Sequence, residues 1–302
     1  MSNEFKTGFV TIVARPNVGK STLLNKMIGQ KVAITTNTAQ TTRKQIKGIL
    51  TDDNSQIVFI DTPGVHKPLN KLGNFLSSQT QNALSDCDLI LFLVDAKFPC
   101  GLGDKWIYEN YLKNLKTPVL IVLNKTDLVK NQNELEANLY SYKKLFEPKN
   151  INCIKVSAKT GKNVKDLIEN IKEYLPYGEK FYPEDEITDQ NLRMIASEII
   201  REKIILNTED EIPHSVAVVI NNYKSEDEID RISATIYTSA QSQKGIIIGK
   251  GGSKLKKIGT EARLELEEIA EKKVFLELFV KVQKNWQKDE IALKMLGFES
   301  EN

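Results

Sequence analysis

The sequence predicts an α/β domain with a mostly parallel sheet and helices on both faces, followed by a smaller α+β domain. Short, almost wholly apolar runs at residues 89–94 and 119–123 alternate with helical stretches. Runs of this kind are typical of parallel strands that are buried on both faces. The composition changes near residue 176, and the pattern after it is different. A chain of 302 residues is long enough for two domains.

In the first domain, five short runs rich in aliphatic and β-branched residues are predicted as strands, at 9–13, 56–60, 89–94, 119–123 and 151–156. A helix is predicted to begin at Lys20. Ligands of such sheets bind beyond the carboxyl ends of the strands. The residues that follow these strands are therefore the candidate site.

The segment PYGEKFYPEDEITDQ at 176–190 combines prolines, a glycine and several acids, which indicates a linker. We predict domains over residues 1–176 and 191–302, joined by a linker over 177–190. In the second domain the order α-β-β-α-α-β is predicted, with elements at 191–206, 215–222, 231–239, 243–248, 253–271 and 274–282, and a short helical tail.

Composition excludes several classes of function. The net charge is only +2, so binding to nucleic acid would need a local basic patch. The three cysteines lack metal-ligand spacing and predict no disulfide framework. The N-terminus does not resemble a signal peptide, and the apolar runs are too short to cross a bilayer. We expect a cytoplasmic protein.

The stretch between the first strand and the helix matches a phosphate-binding loop. Its backbone N–H groups would face phosphates, Lys20 would contact the β and γ phosphates, and the Ser21 hydroxyl would bind Mg²⁺. Ala14 replaces the usual glycine, which is tolerable if its φ stays negative. The residues predicted to bind nucleotide here are Ala14, Arg15, Pro16, Asn17, Val18, Gly19, Lys20, Ser21 and Thr22.

A second motif, Asp61-Thr62-Pro63-Gly64, ends the strand at 56–60. The Asp61 carboxylate can hold Mg²⁺, and the Gly64 N–H can approach the γ-phosphate because no Cβ intervenes. Ras-like enzymes orient water with a glutamine in the next position. Val65 stands there and cannot do so, so slow intrinsic hydrolysis is expected.

A third motif at 124–127 follows the strand at 119–123. The Asp127 carboxylate can accept both adjacent donors of guanine, a pair that adenine does not present. A fourth, at 157–159, follows the strand at 151–156, and the Ala158 N–H can donate to guanine O6. The residues predicted to bind the base are Asn124, Lys125, Asp127, Ser157, Ala158 and Lys159.

A polar loop between the first two motifs contains Gln40-Thr41-Thr42-Arg43-Lys44. A threonine there can reach Mg²⁺ in the GTP state and be released after hydrolysis. We favour Thr42, and Thr41 remains an alternative. The predicted metal ligands are then Ser21, Thr42 and Asp61, and the residues expected to act in hydrolysis are Lys20, Thr42 and Gly64. Four motifs in this order resemble the translation-factor-like GTPase superfamily.

In the second domain, a Gly-x-x-Gly turn lies between two predicted helices, within a window of five lysines. Such loops bring the backbone against single-stranded RNA, and apolar neighbours line a groove for unstacked bases. The alternative is a glycine-rich connector with a solvated basic face. The predicted RNA-binding residues are Lys244, Ile248, Gly249, Lys250, Gly251, Gly252, Lys254 and Lys257.

Over essentially its whole length the chain resembles the Era family, bacterial Ras-like GTPases with a C-terminal type II KH domain, among the TrmE-Era-EngA-like GTPases. The carrying residues lie at 15–22, 40–43, 61–68, 242–252 and 284–286. The resemblance implies GTP/GDP and Mg²⁺ as cofactors, the 3′ region of small-subunit (16S) ribosomal RNA and the 30S subunit as partners, and a role in assembling that subunit.

The resemblance also implies peripheral association with the inner face of the cell membrane, and a monomer is expected. Asn17 matches a position that helps hold K⁺ in related GTPases, so stimulation by K⁺ is a further expectation. Two alternatives of other classes are an RNA-modification factor that uses GTP only as a regulator and a plain RNA-binding module.

Overall fold

The computed structural model describes residues 5–36, 42–147 and 151–298. The chain divides into two compact units. The first unit contains the chain up to Thr35 together with Thr42–Lys67 and Leu76–Asp189, and the second contains Pro68–Phe75 and the chain from Gln190 onward. In the described part of the chain, no helix has the length and apolar character needed to span a membrane.

The first unit is built on a six-stranded sheet in the order β2-β3-β1-β4-β5-β6. All neighbouring strands are parallel except the antiparallel pair β2 and β3, which confirms the predicted fold class. The strands are β1 (Lys6–Ala14), β2 (Ile46–Thr51), β3 (Ser55–Asp61), β4 (Leu89–Asp95), β5 (Val119–Asn124) and β6 (Cys153–Lys155). Strand β2 was not predicted, because Lys47 and Gly48 interrupt its apolar pattern and its pairing with β3 stabilises it instead.

Five helices cover this sheet: α1 (Lys20–Ile28), α2 (Lys71–Ser85), α3 (Leu102–Ile107), α4 (Gln132–Lys143) and α5 (Val164–Tyr174). Two separate apolar clusters form. One joins Ile12 to Leu23 of α1 and Leu167 of α5, and the other contains Val13 and Tyr142 of α4. Alternate residues of β1 thus feed opposite faces, as expected for a sheet with helices on both sides.

The segment predicted as a linker is held against the first unit by hydrogen bonds. The buried Gln56 side chain accepts the N–H groups of Phe181 and Tyr182, at 2.7 and 3.0 Å, and donates to the Tyr182 carbonyl at 2.9 Å. The Thr188 hydroxyl donates to the Lys47 carbonyl at 2.8 Å. Residues up to Asp189 therefore pack as part of the first unit, and the predicted domain boundaries stay predictions.

The second unit contains a three-stranded sheet in which β7 (Ala217–Ser225) pairs antiparallel with β8 (Ile229–Thr238), and β8 pairs parallel with β9 (Lys273–Val282). Its helices are α6 (Leu192–Leu206), α7 (Ile212–Ser215), α8 (Gln241–Ile248), α9 (Ser253–Ala270) and α10 (Glu290–Met295). The single turn α7 adds to the predicted order. The α+β core packs Ile199 and Ile200 of α6 and Ile258 and Ala262 of α9 against Ile236 of β8.

Candidate nucleotide site and nucleic-acid interface

The first helix of the nucleotide site begins without a side-chain cap. Gly19 precedes α1 with φ 100° and ψ 29°, a left-handed conformation, and has no side chain to accept the N–H groups of the first turn. Those N–H groups and the positive end of the helix dipole favour an anion at this position. Ala14 is the last residue of β1 and is not among the residues of positive φ, as its substitution for glycine requires.

Three oxygen-bearing side chains converge beside this helix. Ser21 Oγ lies 3.0 Å from Thr42 Oγ1 and 2.9 Å from Asp61 Oδ2. Thr42 Oγ1 lies 3.3 Å from the same Asp61 oxygen. The other Asp61 oxygen accepts from Lys20 Nζ, and Lys20, Thr42 and Asp61 are all buried.

This hydroxyl–carboxylate cluster fits Mg²⁺. The ion prefers hard oxygen ligands and is commonly held by one or two carboxylates together with substrate phosphates. Here one buried carboxylate and two hydroxyls stand within hydrogen-bonding distance of one another. Thr42, the favoured threonine, is the one placed in the cluster, whereas the alternative, Thr41, and its neighbour Gln40 lie outside the described residues.

The loop after β3 approaches the phosphate-binding loop closely. A Cβ on Gly64 would meet Pro16 Cα at 3.3 Å. The Val65 N–H donates to the Ala14 carbonyl at 2.9 Å, and the Val65 side chain is only 5% exposed, in the same apolar cluster as Val13. The side chain thus faces the core, which agrees with the expectation that it does not orient water.

Thr62 and Pro63 are buried in the same loop. The Thr62 hydroxyl donates to the Ile12 carbonyl at 2.9 Å. The side chain therefore ties the loop to β1 rather than presenting a polar group to a ligand.

Asn124 joins three of the motifs. Its side-chain amide donates to the Val18 carbonyl at 2.8 Å, and its oxygen accepts the Ala158 N–H at 2.9 Å. A Cβ on Gly19 would meet Asn124 Nδ2 at 2.6 Å, so a side chain there would break this arrangement. Asn124 is 1% exposed and acts as a buried bridge.

One sequence-based expectation differs from the structure. The Ala158 N–H was predicted to donate to guanine O6, but it donates to the Asn124 side chain. The reason is local geometry, because Asn124 ends β5 and Ala158 follows β6, and these are neighbouring strands. Ala158 contributes first to the frame of the site.

The base-reading carboxylate is exposed and oriented. Asp127 Oδ1 accepts from the Ser157 hydroxyl at 2.6 Å. Lys125 Nζ donates to the Asn17 carbonyl at 2.6 Å and to Asp95 Oδ2 at 2.7 Å. The third motif is thereby tied to the phosphate-binding loop. Thr22 and Lys159 are exposed on the surface.

Arg15 has a partner that sequence reasoning missed. Its Nε donates to Asp104 Oδ1 at 2.6 Å, and the other Asp104 oxygen accepts the Gly101 N–H at 3.0 Å. Burial lowers the pKa of Arg15, but the Asp104 carboxylate outweighs that effect and raises it. The Arg15 side chain is directed at α3, so only its backbone is available to the loop. Asp104 is separated from it by 89 positions and belongs to no motif.

In the second unit, the glycine turn between α8 and α9 is open. Gly251 and Gly252 have φ values of 60° and 80°, and a Cβ on either would meet no atom within 4 Å. A groove of about 390 Å³ adjoins this turn. Its lining combines apolar and basic residues, namely Gly252, Leu255, Lys256, Gly259, Thr260, Arg263, Leu276 and Leu278.

The predicted RNA-binding lysines differ in exposure. Lys250 and Lys257 are exposed, and Lys244 and Lys254 are half-buried. Lys257 Nζ lies 3.7 Å from Glu261, which partly neutralises its charge. Ile248 is partly buried against the core of the unit, and Gly249 adopts φ 73° where α8 ends. The turn brings the glycines together with Lys250 and Lys254, while Ile248 belongs mainly to packing.

Comparison with known proteins adds two domain families. Residues 9–125 match the family model described as 50S ribosome-binding GTPase, and residues 211–287 match a KH domain model. GTPase Era of Staphylococcus haemolyticus (strain JCSC1435) is 47% identical over 296 residues, covering 98% of both chains. The chain belongs to the Era family of GTPases. This confirms the resemblance inferred from the sequence, and the C-terminal part is a KH domain.

Two solved Era structures match with a TM-score of 0.94 each. One is Era in complex with MgGDPNP and nucleotides 1506–1542 of 16S ribosomal RNA, and the other is an Aquifex aeolicus Era variant bound to GDP.AlF4⁻. Both are 39% identical to this chain, and each match covers 98% of this chain and 100% of the other.

Proposed function

We propose that this GTPase is a nucleotide-controlled switch that binds the 3′ region of 16S ribosomal RNA and acts in assembly of the small ribosomal subunit. The observation that carries the switch is the placement of Thr42 Oγ1 within 3.3 Å of both Ser21 Oγ and the Asp61 carboxylate. The RNA partner is supported by the open glycine turn and by the related Era that was solved with nucleotides 1506–1542.

Ser21, Thr42 and Asp61 would hold Mg²⁺. When bound, the ion neutralises charge on the β and γ phosphates of the nucleotide. Lys20, now paired with Asp61, would turn its ammonium to the same phosphates. The uncapped first turn of α1 supplies backbone N–H donors without reorganisation.

Thr42 would act as the switch residue. Its hydroxyl belongs to the cluster only if the loop before β2 folds over α1, and the γ-phosphate favours that position. The Gly64 N–H stands on the opposite side, close to Pro16, and would donate to the same phosphate. Loss of the phosphate would remove both contacts and release the two loops.

Guanine would be read by Asp127, with Asn124, Lys125 and the 157–159 turn as its support. The Ser157 hydroxyl holds one carboxylate oxygen in place, which reduces the ordering cost when the base binds. Adenine would leave the carboxylate without a donor, and such mismatches are strongly rejected.

The RNA would lie across the turn at 249–252, with bases in the groove formed by α9 and β9. Glycines without a Cβ allow a phosphate backbone to come close, and Lys250 and Lys254 supply charge. The apolar walls at Leu255, Leu276 and Leu278 would contact unstacked bases.

A single set of measurements tests this proposal against the two alternatives. GTP turnover and RNA affinity are measured with a single-stranded fragment of the 16S 3′ end and with a scrambled fragment. A switch predicts turnover without RNA and preferential binding of the 3′ fragment in the GTP state. Equal affinity in the GTP and GDP states would favour a plain RNA-binding module, and covalent change in the RNA would favour a modification factor.

We also propose stimulation by K⁺ through Asn17, a monomeric state and peripheral membrane association, all of which rest on the family resemblance. Asn17 is exposed with φ 64°, next to the uncapped start of α1. Turnover that is equal in K⁺ and Na⁺ would contradict the first. Sedimentation and flotation with vesicles of anionic lipid would test the other two.

A further inference from the structure

A cleft at the amino end of the first unit's sheet has no part in the nucleotide site. It has a volume of about 600 Å³ and is lined by Thr7 and Phe9 of β1, by the turn before β4, and by the segment after α5. Thr7 and Ala14 lie near opposite ends of β1, about 23 Å apart at the rise of an extended strand. The cleft is therefore a separate surface of the same unit.

The wall of the cleft contains a buried hydroxyl with no partner. Thr7 is 3% exposed, and its Oγ1 makes no hydrogen bond to any residue that the structure describes. Strand alternation places Thr7 on the face of β1 that also carries Phe9. The Phe9 ring contacts Phe181 in the cleft, with centroids 4.8 Å apart. A buried hydroxyl is normally satisfied, so a ligand that enters here and bonds to it would gain free energy.

The rim of the cleft is acidic. Asp86, Asp88 and Glu179 all line it, and none of them forms an ion pair with another described residue. The one lysine of the lining, Lys180, pairs with Glu184 and lies over the Phe5 ring at 5.2 Å. Its charge is thus committed outside the cleft, and the remaining carboxylates favour a cation.

Two exposed aromatic rings complete the rim. Tyr177 and Phe181 are 68% and 53% exposed, and planar cations stack on such rings. Burial raises the pKa of the Cys87 thiol, so this lining residue is neutral and unreactive near pH 7. In the described part of the chain, no group of three or more His, Cys, Asp or Glu side chains is arranged to hold a metal ion. The lining is suited to binding rather than to chemistry.

We propose that this cleft binds an arginine side chain presented by a partner polypeptide. The guanidinium is planar, carries five N–H donors and stacks on aromatic faces, which matches the rings, the carboxylates and the Thr7 hydroxyl together. A volume of 600 Å³ lies in the range of specific ligand pockets and leaves room for the residues flanking the arginine.

The test uses the full-length protein and the peptide acetyl-Gly-Arg-Gly-amide, titrated by calorimetry and by backbone amide NMR. The same peptide with citrulline, a neutral isostere of arginine, is the matched control. Saturable binding is expected with a Kd at least about tenfold below that of the citrulline peptide, with shifts at Thr7, Phe9 and Phe181. No saturation by arginine up to about 10 mM would overturn the proposal. Tighter binding of spermidine would overturn the assignment to a polypeptide.

Two variants keep the test independent of folding. Thr7→Val removes the unpartnered hydroxyl at nearly constant shape, so it is expected to raise Tm, weaken the arginine peptide by about three- to tenfold and leave GTP turnover unchanged. Asp86→Asn, on the exposed rim, is expected to weaken the peptide in a salt-dependent way. Unchanged peptide affinity in both variants would show that the cleft is not the binding site.

Discussion

Thr42 Oγ1 lies 3.0 Å from Ser21 Oγ although 21 positions separate the two residues. Asp61 accepts from both, so one buried carboxylate joins the loop before β2 to the start of α1 and the end of β3. Three segments that are distant in sequence meet at atoms suited to one hard cation. A change at Thr42 should therefore affect the ion and the loop together.

Thr42→Ala is expected to reduce GTP turnover by about 10- to 100-fold, because one oxygen of the metal cluster is removed. GDP affinity should change little, since the threonine is engaged through the γ-phosphate state. Single-turnover hydrolysis and nucleotide titration measure the two effects. Thr41→Ala is the matched control, and a larger loss there would transfer the role to Thr41.

Asp127→Asn is expected to weaken GTP binding by about 100-fold or more, because two hydrogen bonds to a charged acceptor are lost. Xanthosine triphosphate should gain, since its base presents an acceptor where guanine has an amine. Competition binding measures the exchange. Ser157→Ala, which only releases the carboxylate oxygen, should cost about three- to tenfold. ATP competing with GTP at similar concentration in the parent protein would contradict the assignment.

Asp104→Asn tests the support of the phosphate-binding loop. The change leaves the Arg15 guanidinium partly buried without its carboxylate and should lower the free energy of unfolding by about 1–3 kcal/mol, with a raised KM for GTP. Glu109→Gln breaks an exposed ion pair with Lys113 and should cost about 0.5 kcal/mol or less. Urea unfolding and steady-state kinetics compare them, and equal effects would remove the special role of Asp104.

Val65→Ala should act on stability rather than on hydrolysis. The side chain is 5% exposed in an apolar cluster, so its truncation should cost about 1–3 kcal/mol of unfolding free energy. Turnover at 25 °C should stay within about threefold, because the side chain faces away from the nucleotide. A loss of several hundredfold in a folded variant would show that Val65 takes part in catalysis.

Sequence reasoning succeeded where chemistry and strand pattern coincide. Asp61 and Asn124 each end a wholly or almost wholly buried strand, so their meeting at one edge follows from a parallel sheet. It failed where a partner is set by tertiary packing. Asp104 resembles an ordinary first-turn acid of a helix, and only the fold brings Arg15 to it. The Ala158 N–H was assigned to the base because the bridging role of Asn124 cannot be seen along the chain.

Gly251→Asp tests the RNA interface most directly, because the glycine faces open space in a left-handed conformation. Asp and Asn both tolerate that conformation better than other residues, at a strain of about 1–2 kcal/mol. Gly251→Asn therefore carries the same shape and strain without the charge. We expect the Asp variant to weaken binding of the 16S 3′ fragment by more than about tenfold, and the Asn variant by much less.

The paired design separates binding from folding. Both variants should lose the same few degrees of Tm and keep parental GTP affinity, since the nucleotide motifs lie in the other unit. Replacing Lys250 by Gln should weaken RNA binding and reduce the slope of log affinity against log salt by about 0.7, the value for one contact on a single strand. If the turn only connects α8 and α9, the Asp and Asn variants will bind RNA equally well. A folded Gly251→Asp protein with parental RNA affinity would therefore place the RNA elsewhere on the second unit.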